Sequence, residues 1–149
     1  MPKASVKKFI ECKKEQLIDL VLDIEKYPIF VPFCLDSKVY ERKEKDDLLL
    51  IIADLTIGKG LLKDTYKSDV KYNKKKNSIY VINLDGPLNH LENKWHFKEE
   101  NNLTEISFEI DFELKNDFLN IVMTKSFQFA LDRIADAFQK RAEDLFNKV

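Results

Sequence analysis

Residues 90–115 have the sequence HLENKWHFKEENNLTEISFEIDFELK, and this stretch decides the fold class. Two runs within it, 91–98 and 105–114, alternate between mainly apolar and polar residues. Such alternation is typical of β-strands with one covered face and one solvated face. Because Asn101-Asn102 between the runs is a turn signal, the stretch predicts an antiparallel hairpin.

More strands are predicted on the N-terminal side of this hairpin. The six predicted strands span 35–43, 46–57, 61–72, 78–85, 90–99 and 103–115. Turn-forming residues separate them at Lys45-Asp46, 58–60, 73–77, 85–87 and 101–102. Links this short imply that neighbouring strands are antiparallel.

The two ends of the chain complete the predicted architecture. Residues 4–11 predict a first strand, 14–24 an amphipathic helix and 27–33 a tight helical turn, with Pro28 expected to bar the α conformation at Tyr27. Helical spacing from Asp117 to Asn147 predicts one helix of about 45 Å. This order predicts an α+β helix-grip fold, a curved antiparallel sheet of seven strands around the long C-terminal helix. We expect one domain over residues 1–149.

Composition excludes several classes of function. The 149 residues carry a formal net charge of −1, which lacks the basic excess of DNA-binding proteins. Cys12 and Cys34 form no paired motif, so a reducing compartment is expected. The first eight residues have no signal-peptide core, and the apolar run 48–53 is far shorter than the ~20 residues that span a bilayer. We therefore expect a cytoplasmic protein whose membrane contact is peripheral, at the inner face of the cytoplasmic membrane.

The predicted fold favours an apolar ligand pocket. A curved sheet around one helix tends to leave its concave side partly unfilled. Polar residues interrupt the apolar rows at Asp64, Ser68 and Asn93, which would give a mostly apolar lining a few hydrogen-bonding groups. The alternative is that the apolar residues are plain core, that Asn93 satisfies a buried backbone group and that Asp64 pairs with a lysine.

The sequence offers little for catalysis. His90 and His96 fall on the polar side of their strand, without zinc-ligand spacing. Gly58-Lys59-Gly60 lacks the length of a phosphate-binding loop, and the acidic residues 109, 111 and 113 alternate outward. We therefore expect a protein that is not an enzyme. A polyketide cyclase or aromatase would need a buried acid or base such as Asp64 beside its substrate.

Several motifs along the whole chain resemble one family. They are DIEKYP at 23–28, FC at 33–34, IG at 57–58, GPL at 86–88, LENKWHF at 91–97, IDFELK at 110–115 and the segment 138–142. The chain resembles coenzyme Q-binding proteins, a family of START-like, polyketide-cyclase-like helix-grip domains that also includes bacterial ribosome association toxins. Lys59 and Leu88 depart from the aromatic residues that relatives place near these positions.

The resemblance implies a ligand, a site and a rival function. It implies non-enzymatic binding of ubiquinone or a similar hydrophobic lipid, with no required cofactor, in support of respiration or quinone synthesis. The implied ligand-binding residues are Tyr27, Pro28, Phe30, Leu62, Tyr66, Val70, Leu91, Asn93, Trp95, Phe127, Leu131 and Ile134. The rival is ribosome association that blocks subunit joining, for which basic patches would come from Lys3, Lys7, Lys8, Lys13 and Lys14 or from Lys71 and 74–76.

Overall fold

The computed structural model describes residues 3–59, 62–85, 88–115 and 117–146, and the side chains of these except 59, 62, 88, 114 and 117–127. The elements in chain order are β1 (Lys3–Ile10), α1 (Lys14–Leu22), a 3-10 turn (Ile24–Lys26), α2 (Tyr27–Phe30), β2 (Cys34–Lys45), β3 (Leu48–Lys59), β4 (Leu62–Asn73), β5 (Ser78–Asp85), β6 (Leu88–Glu100), β7 (Leu103–Leu114) and α3 (Asp117–Phe146). The predicted α+β helix-grip arrangement is confirmed.

All seven strands belong to one antiparallel sheet. Its order is β1-β7-β6-β5-β4-β3-β2, so each strand from β2 to β7 lies beside its neighbour in sequence. The exception is β1, which pairs with β7 from Lys3 opposite Asp111 to Ile10 opposite Thr104. Helix α3 packs against β1 and β7 and also contacts α1 and α2. The helix therefore lies over the β1–β7 side of the sheet.

The backbone conformation of the hairpin turns explains why Asp and Asn residues lie between the strands. Asp46, Asn77, Asn101 and Asn102 all have positive φ, from 52° to 62°. Asp and Asn tolerate this left-handed conformation better than other residues with a side chain. Two successive residues with positive φ, as at Asn101-Asn102, match the tight turns whose twist suits a hairpin.

The predicted alternation holds in both strands of the deciding hairpin. Leu91, Trp95 and Phe97 are buried, whereas Lys94 and His96 are exposed. Along β7, the buried residues are Thr104, Ile106, Phe108 and Phe112. In β1, Ala4 and Ile10 are buried and Phe9 is exposed. The main core is therefore bounded by the concave side of the sheet, α1 and α3.

One local prediction is wrong. Tyr27 has φ −54° and ψ −42°, which is the α conformation that Pro28 was expected to bar. Helix α2 begins at Tyr27 with the proline in its first turn, where the missing N–H would have no helical partner anyway. A following proline disfavours the α conformation without excluding it. The expected stop is nevertheless present, since α1 ends at Leu22, one residue before Asp23 with ψ 65°.

Candidate functional site

The predicted ligand-binding residues separate into two groups. Val70, Trp95 and Leu131 are buried in the main core, and Ile134 packs against it. Phe138 connects these elements, because its ring centroid lies 5.4 Å from that of Trp95 and 5.5 Å from that of Tyr27. Such edge-to-face contacts are favourable packing geometry. The side chains of this first group therefore pack against other side chains of the main core.

Little space remains in that part of the interior. The enclosed cavity between β1, the middle of the sheet and the C-terminal half of α3 has a volume of about 10 Å³. Its lining includes Val6, Lys8, Trp95, Ile134 and Phe138. A volume of this size holds about one water molecule. A quinone ring therefore has no room between Trp95 and Phe138 without displacing them.

A second apolar cluster lies on the concave face beside the main core, and Ile110 packs against both. It consists of buried Leu91 and Phe112, with Tyr66 and Ile110 packed against them, and we call it the concave-face cluster. Leu91 lies opposite Phe112 in the pairing of β6 with β7, and Asn93 lies opposite Ile110 in the next inward row. The cluster therefore joins three predicted site residues, Tyr66, Leu91 and Asn93, in one region of the sheet.

The Tyr66 side chain brings a hydroxyl group into this region. Burial raises the pKa of Tyr66 above its ordinary value, and the nearby Cys34 raises it further. The hydroxyl therefore stays protonated at neutral pH and remains able to donate a hydrogen bond. Among the described residues it has no hydrogen-bond partner.

The α2 segment forms one side of the concave face. The Tyr27 hydroxyl donates a hydrogen bond to the Val21 carbonyl, and burial raises its pKa above the ordinary value. Phe30 is half-buried beneath the Arg141 guanidinium, 5.4 Å from the ring centroid, whereas Pro28 is exposed. Tyr27 and Phe30 therefore anchor α2 to α3, and neither hydroxyl nor ring is free of protein contacts.

An exposed apolar rim lies beside α2, where α2 contacts β2 and β2 pairs with β3. Ile29 is 65% exposed, and Leu35 and Ile57 are also exposed. They lie close together because α2 contacts β2 and because Cys34, next to Leu35, pairs with Ile57. We call these three residues the apolar rim.

Some predictions fall outside what the structure describes, and the cluster contains residues that the predicted set omitted. The side chains of Leu62 and Phe127 lie outside the described residues, so their roles stay predictions. Ile110 and Phe112 were expected only as core. The signal that places them is the β6–β7 register, which puts Phe112 opposite Leu91.

The polar residues expected in the lining behave differently from one another. The expectation that Asp64 is partly enclosed is wrong, since it is exposed near the beginning of β4 and accepts a hydrogen bond from its neighbour's backbone, Thr65 N–H, at 3.0 Å. Ser68 is buried and donates to the Ala53 carbonyl at 3.2 Å. Asn93 accepts a hydrogen bond from the Trp95 indole N–H at 3.2 Å. Among the described residues, Asn93 and Tyr66 bring polar groups to the concave-face cluster, and so does Asn83, whose side-chain oxygen accepts a hydrogen bond from the Leu91 backbone N–H at 3.0 Å.

The groove beside β1 differs in chemistry from this cluster. An open groove of about 390 Å³ runs past β1, and its lining is largely polar, with Lys3, Glu92, Lys94, Glu109 and Asp111 among its residues. Such a lining suits an apolar ligand poorly. Within the described ranges, no three His, Cys, Asp or Glu side chains converge as a metal site would require. Over the same ranges, no helix is both long and apolar enough to cross a bilayer.

A curved seven-stranded antiparallel sheet with a long C-terminal helix, and an apolar cluster on its concave face, defines a START-like helix-grip domain. The family model for polyketide cyclases, dehydrases and lipid transport matches residues 10–139. The chain belongs to this family.

Curated relatives carry the two kinds of name that the sequence motifs implied. The chain is 30% identical to a ribosome association toxin from Rickettsia prowazekii over 141 residues, 93% of this chain and 94% of that protein. It is 32% identical to the mitochondrial coenzyme Q-binding protein of Dictyostelium discoideum over 134 residues, 88% of this chain and 64% of that longer protein. The resemblance inferred from the motifs is therefore confirmed.

Solved structures support the fold. An 18 kDa protein from Caulobacter crescentus matches with a TM-score of 0.81 at 28% identity, over 97% of this chain and 98% of the other. A START superfamily protein from Mycobacterium smegmatis matches with a TM-score of 0.78 at 19% identity, over 96% and 98%. A Streptomyces aromatase/cyclase matches with a TM-score of 0.78 at 13% identity, over 95% and 93%. The last two likenesses concern the fold alone.

Proposed function

We propose that this protein binds a hydrophobic small molecule, a prenylated quinone such as ubiquinone or a similar lipid, and carries out no chemistry on it. The observation that carries the proposal is the concave-face cluster, which adjoins the main core through Ile110 and is bordered by the Tyr66 hydroxyl, a polar group with no hydrogen-bond partner among the described residues. A mostly apolar surface with a few convergent polar groups is characteristic of small-molecule sites. The name of the Dictyostelium relative supplies the ligand class.

The packed core limits where the ligand lies. Because the cavity beside Trp95 and Phe138 holds about 10 Å³, we place the ring of the ligand against Leu91 and Phe112 instead. Trp95 then lies beside the ligand and not under it, with its indole N–H edge directed at Asn93. The predicted contacts of Tyr66, Leu91 and Asn93 remain, whereas Val70 and Leu131 act as core.

The proposal includes transient contact with a membrane. Ile29, Leu35 and Ile57 expose apolar surface beside α2, and such a rim suits insertion among lipid headgroups. Transfer of an apolar ligand through water is costly, so a rim that rests on a bilayer would shorten its path. We propose a cytoplasmic protein that works at the inner face of the cytoplasmic membrane.

Two measurements test the binding function. Mass spectrometry of organic extracts from the purified protein is expected to detect a prenylated quinone or another lipid in stoichiometric amounts. Titration with a short-chain ubiquinone is expected to quench the fluorescence of Trp95, the only tryptophan, until it saturates. Absence of both a bound lipid and saturable quenching would rule out the proposal.

A pair of variants separates binding from stability. Leu91→Ala and Val70→Ala each remove apolar atoms from a buried residue on the concave face. Both are expected to lower the free energy of unfolding, but only Leu91→Ala removes contact with the ligand. The loss of about 1.5–3 kcal/mol of apolar contact predicts binding that is about 10-fold weaker or more. Equal effects of both variants on binding would contradict the placement of the ring.

A second candidate function, ribosome association, is favoured by one surface. Strand register brings Lys43, Lys71 and Lys94 into one outward row at intervals of about 10 Å, with Tyr80 between the last two. All three lysines are exposed, and the following outward row adds Lys45. A convex cationic row suits contact with a phosphate backbone.

In this row Lys94 pairs with Glu92 at 3.3 Å, whereas Lys43 and Lys71 make no ion pair among the described residues. The other basic run is less suited to such contact, because carboxylates pair with most of it. Lys3, Lys7, Lys8 and Lys14 each lie within 4 Å of a carboxylate oxygen. Co-sedimentation with ribosomal subunits tests the candidate, with Lys43→Glu/Lys71→Glu against Lys3→Glu/Lys7→Glu as the matched control. We expect only the first pair to abolish co-sedimentation at low salt. No co-sedimentation of the unmodified protein would remove this candidate.

Catalysis by a cyclase mechanism finds little support. The residue on which that alternative depended, Asp64, is exposed and bonded to backbone. The two curated relatives carry names of a binding protein and a toxin. We therefore propose a non-enzymatic role.

A further inference from the structure

The contact between Trp95 and Asn93 fixes the direction of an amide group. The indole nitrogen of tryptophan carries a hydrogen and can only donate. The atom of Asn93 that faces it must therefore be the oxygen, at 3.2 Å. The NH₂ end of the same amide consequently points away from Trp95. It is a donor with no acceptor function of its own.

This NH₂ group has no partner within the described part of the chain. Asn93 is half-buried, and its side-chain nitrogen makes none of the hydrogen bonds found there. It lies on the inward row beside Ile110, next to the row of Leu91 and Phe112. The concave-face cluster is therefore bordered by two unused hydrogen-bond donors, this amide and the Tyr66 hydroxyl.

We infer that the site selects the redox state of its ligand and prefers an oxidised quinone, whose carbonyl oxygens accept hydrogen bonds, over the corresponding quinol. The inference rests on the proposed binding of a quinone. It assigns Asn93 the role of specificity determinant, with Trp95 as the residue that positions it. The ligand class alone does not imply this preference, because both redox forms have nearly the same shape and the same tail.

The preference follows from the count of donors and acceptors. A quinone carbonyl accepts the amide N–H and needs nothing in return. A quinol hydroxyl can accept the same N–H through its oxygen, but its own hydrogen then needs an acceptor. The Asn93 oxygen already accepts the indole N–H, and because it lies on the other side of the planar amide from the NH₂ group, a hydroxyl bound to that NH₂ is poorly placed to donate to it. A buried donor left without a partner is costly, so quinol binding is expected to be about 10-fold weaker or more.

The two donors contribute differently. The Tyr66 hydroxyl can rotate and either donate or accept, so it serves both redox forms. Its removal is expected to weaken both equally. Asn93 cannot adapt while Trp95 holds its oxygen, so the discrimination is expected to depend on Asn93 and Trp95. This difference separates specificity from affinity.

The experiment measures dissociation constants of a short-chain ubiquinone and of its quinol by anaerobic equilibrium dialysis. The unmodified protein is expected to bind the quinone at least 10-fold more tightly. Asn93→Asp, which replaces the NH₂ donor by an acceptor, is expected to reverse the preference. Trp95→Phe frees the Asn93 amide to turn round, so the ratio of the quinol to the quinone dissociation constant is expected to fall to about 3 or less while binding persists. Tyr66→Phe is expected to weaken both forms and leave the ratio unchanged.

Tyr72→Phe is the matched control, since Tyr72 lies on the same inward face of β4 but packs against the main core. It is expected to change neither constant. A second readout is the midpoint potential of the bound quinone, which should be lower than that of the free quinone by about 30 mV for each tenfold of preference.

The outcomes distinguish this inference from the binding function itself. Tight binding of both forms with a ratio near 1 would overturn the redox preference and leave quinone binding intact. Saturable binding of neither form would refute quinone binding. An unchanged ratio in Asn93→Asp would also overturn the inference. Should Asn93→Asp fail to fold, Trp95→Phe and Asn93→Leu provide the same comparison. A ratio of the quinol to the quinone dissociation constant of 10 or more in both variants would contradict the roles assigned to Asn93 and Trp95.

Discussion

Replacing Phe138 by alanine is expected to cost a large part of the stability of this protein. Phe138 is 3% exposed, and its ring lies edge-on to Tyr27, Phe30 and Trp95 at centroid distances of 5.5, 5.2 and 5.4 Å. Truncation of a buried Phe costs about 3–5 kcal/mol, and the loss of three ring contacts places this case toward the upper end. Because domains of this size are stable by about 5–15 kcal/mol, the variant should be marginally folded.

Equilibrium unfolding in urea, followed by Trp95 fluorescence, measures the effect. With a slope of about 2 kcal/mol per molar urea, a loss of about 4 kcal/mol lowers the midpoint by about 2 M. Phe129→Ala is the control on the same helix, because Phe129 is 67% exposed and its loss should change stability by less than about 0.5 kcal/mol. A loss below about 1 kcal/mol in Phe138→Ala would refute the conclusion that the rings form a packed core beneath α3.

Four further predictions concern buried polar groups and a turn. Thr104→Val should cost about 1–2 kcal/mol in a thermal unfolding series, because it removes a buried hydroxyl that donates to the Cys12 carbonyl at 2.7 Å and leaves that acceptor unpaired. Burial raises the pKa of both Cys12 and Cys34 to about 11, so native protein at pH 7 should react with a thiol reagent far more slowly than protein in urea. For the same reason the unfolded chain releases thiol protons from about pH 8.5 while the folded chain keeps them, so the free energy of unfolding should fall between about pH 8.5 and 11. This fall should be less steep in Cys34→Ala, and an equal slope in that variant would contradict the assignment. Asn102→Ala should destabilise by about 1 kcal/mol because φ is 62° there, whereas Asn102→Gly should not, as urea midpoints would show.

The fold was predictable because local signals agree with one another along most of the chain. The alternation in β6 and β7 fixes which face of each strand is covered, and the Asn101-Asn102 turn fixes that they are adjacent. The error at Tyr27 has a simple origin. A proline signals the end of one helix and the start of another equally well, and here the two helices are only four residues apart.

The candidate site was less predictable because sequence periodicity reports which face a residue occupies, not how closely it is packed. Trp95 and Leu91 share an inward row, yet Trp95 contacts three aromatic rings while Leu91 belongs to a separate cluster. Asp64 follows the same parity as Tyr66 but is exposed, since it lies close to the beginning of its strand. Which tyrosine hydroxyl lacks a partner depends on side-chain geometry that no alternation encodes.

The pairing of β1 with β7 has a consequence for synthesis of the chain. The first strand must remain without its partner until the segment around residues 104–111 has left the ribosome, although the hairpins between them can already form. Contacts across so long a loop close late and slowly. During that interval the backbone groups of β1 are open to association with other chains. Among the seven strands of the sheet, β1 therefore waits longest for its partner while the chain is being made.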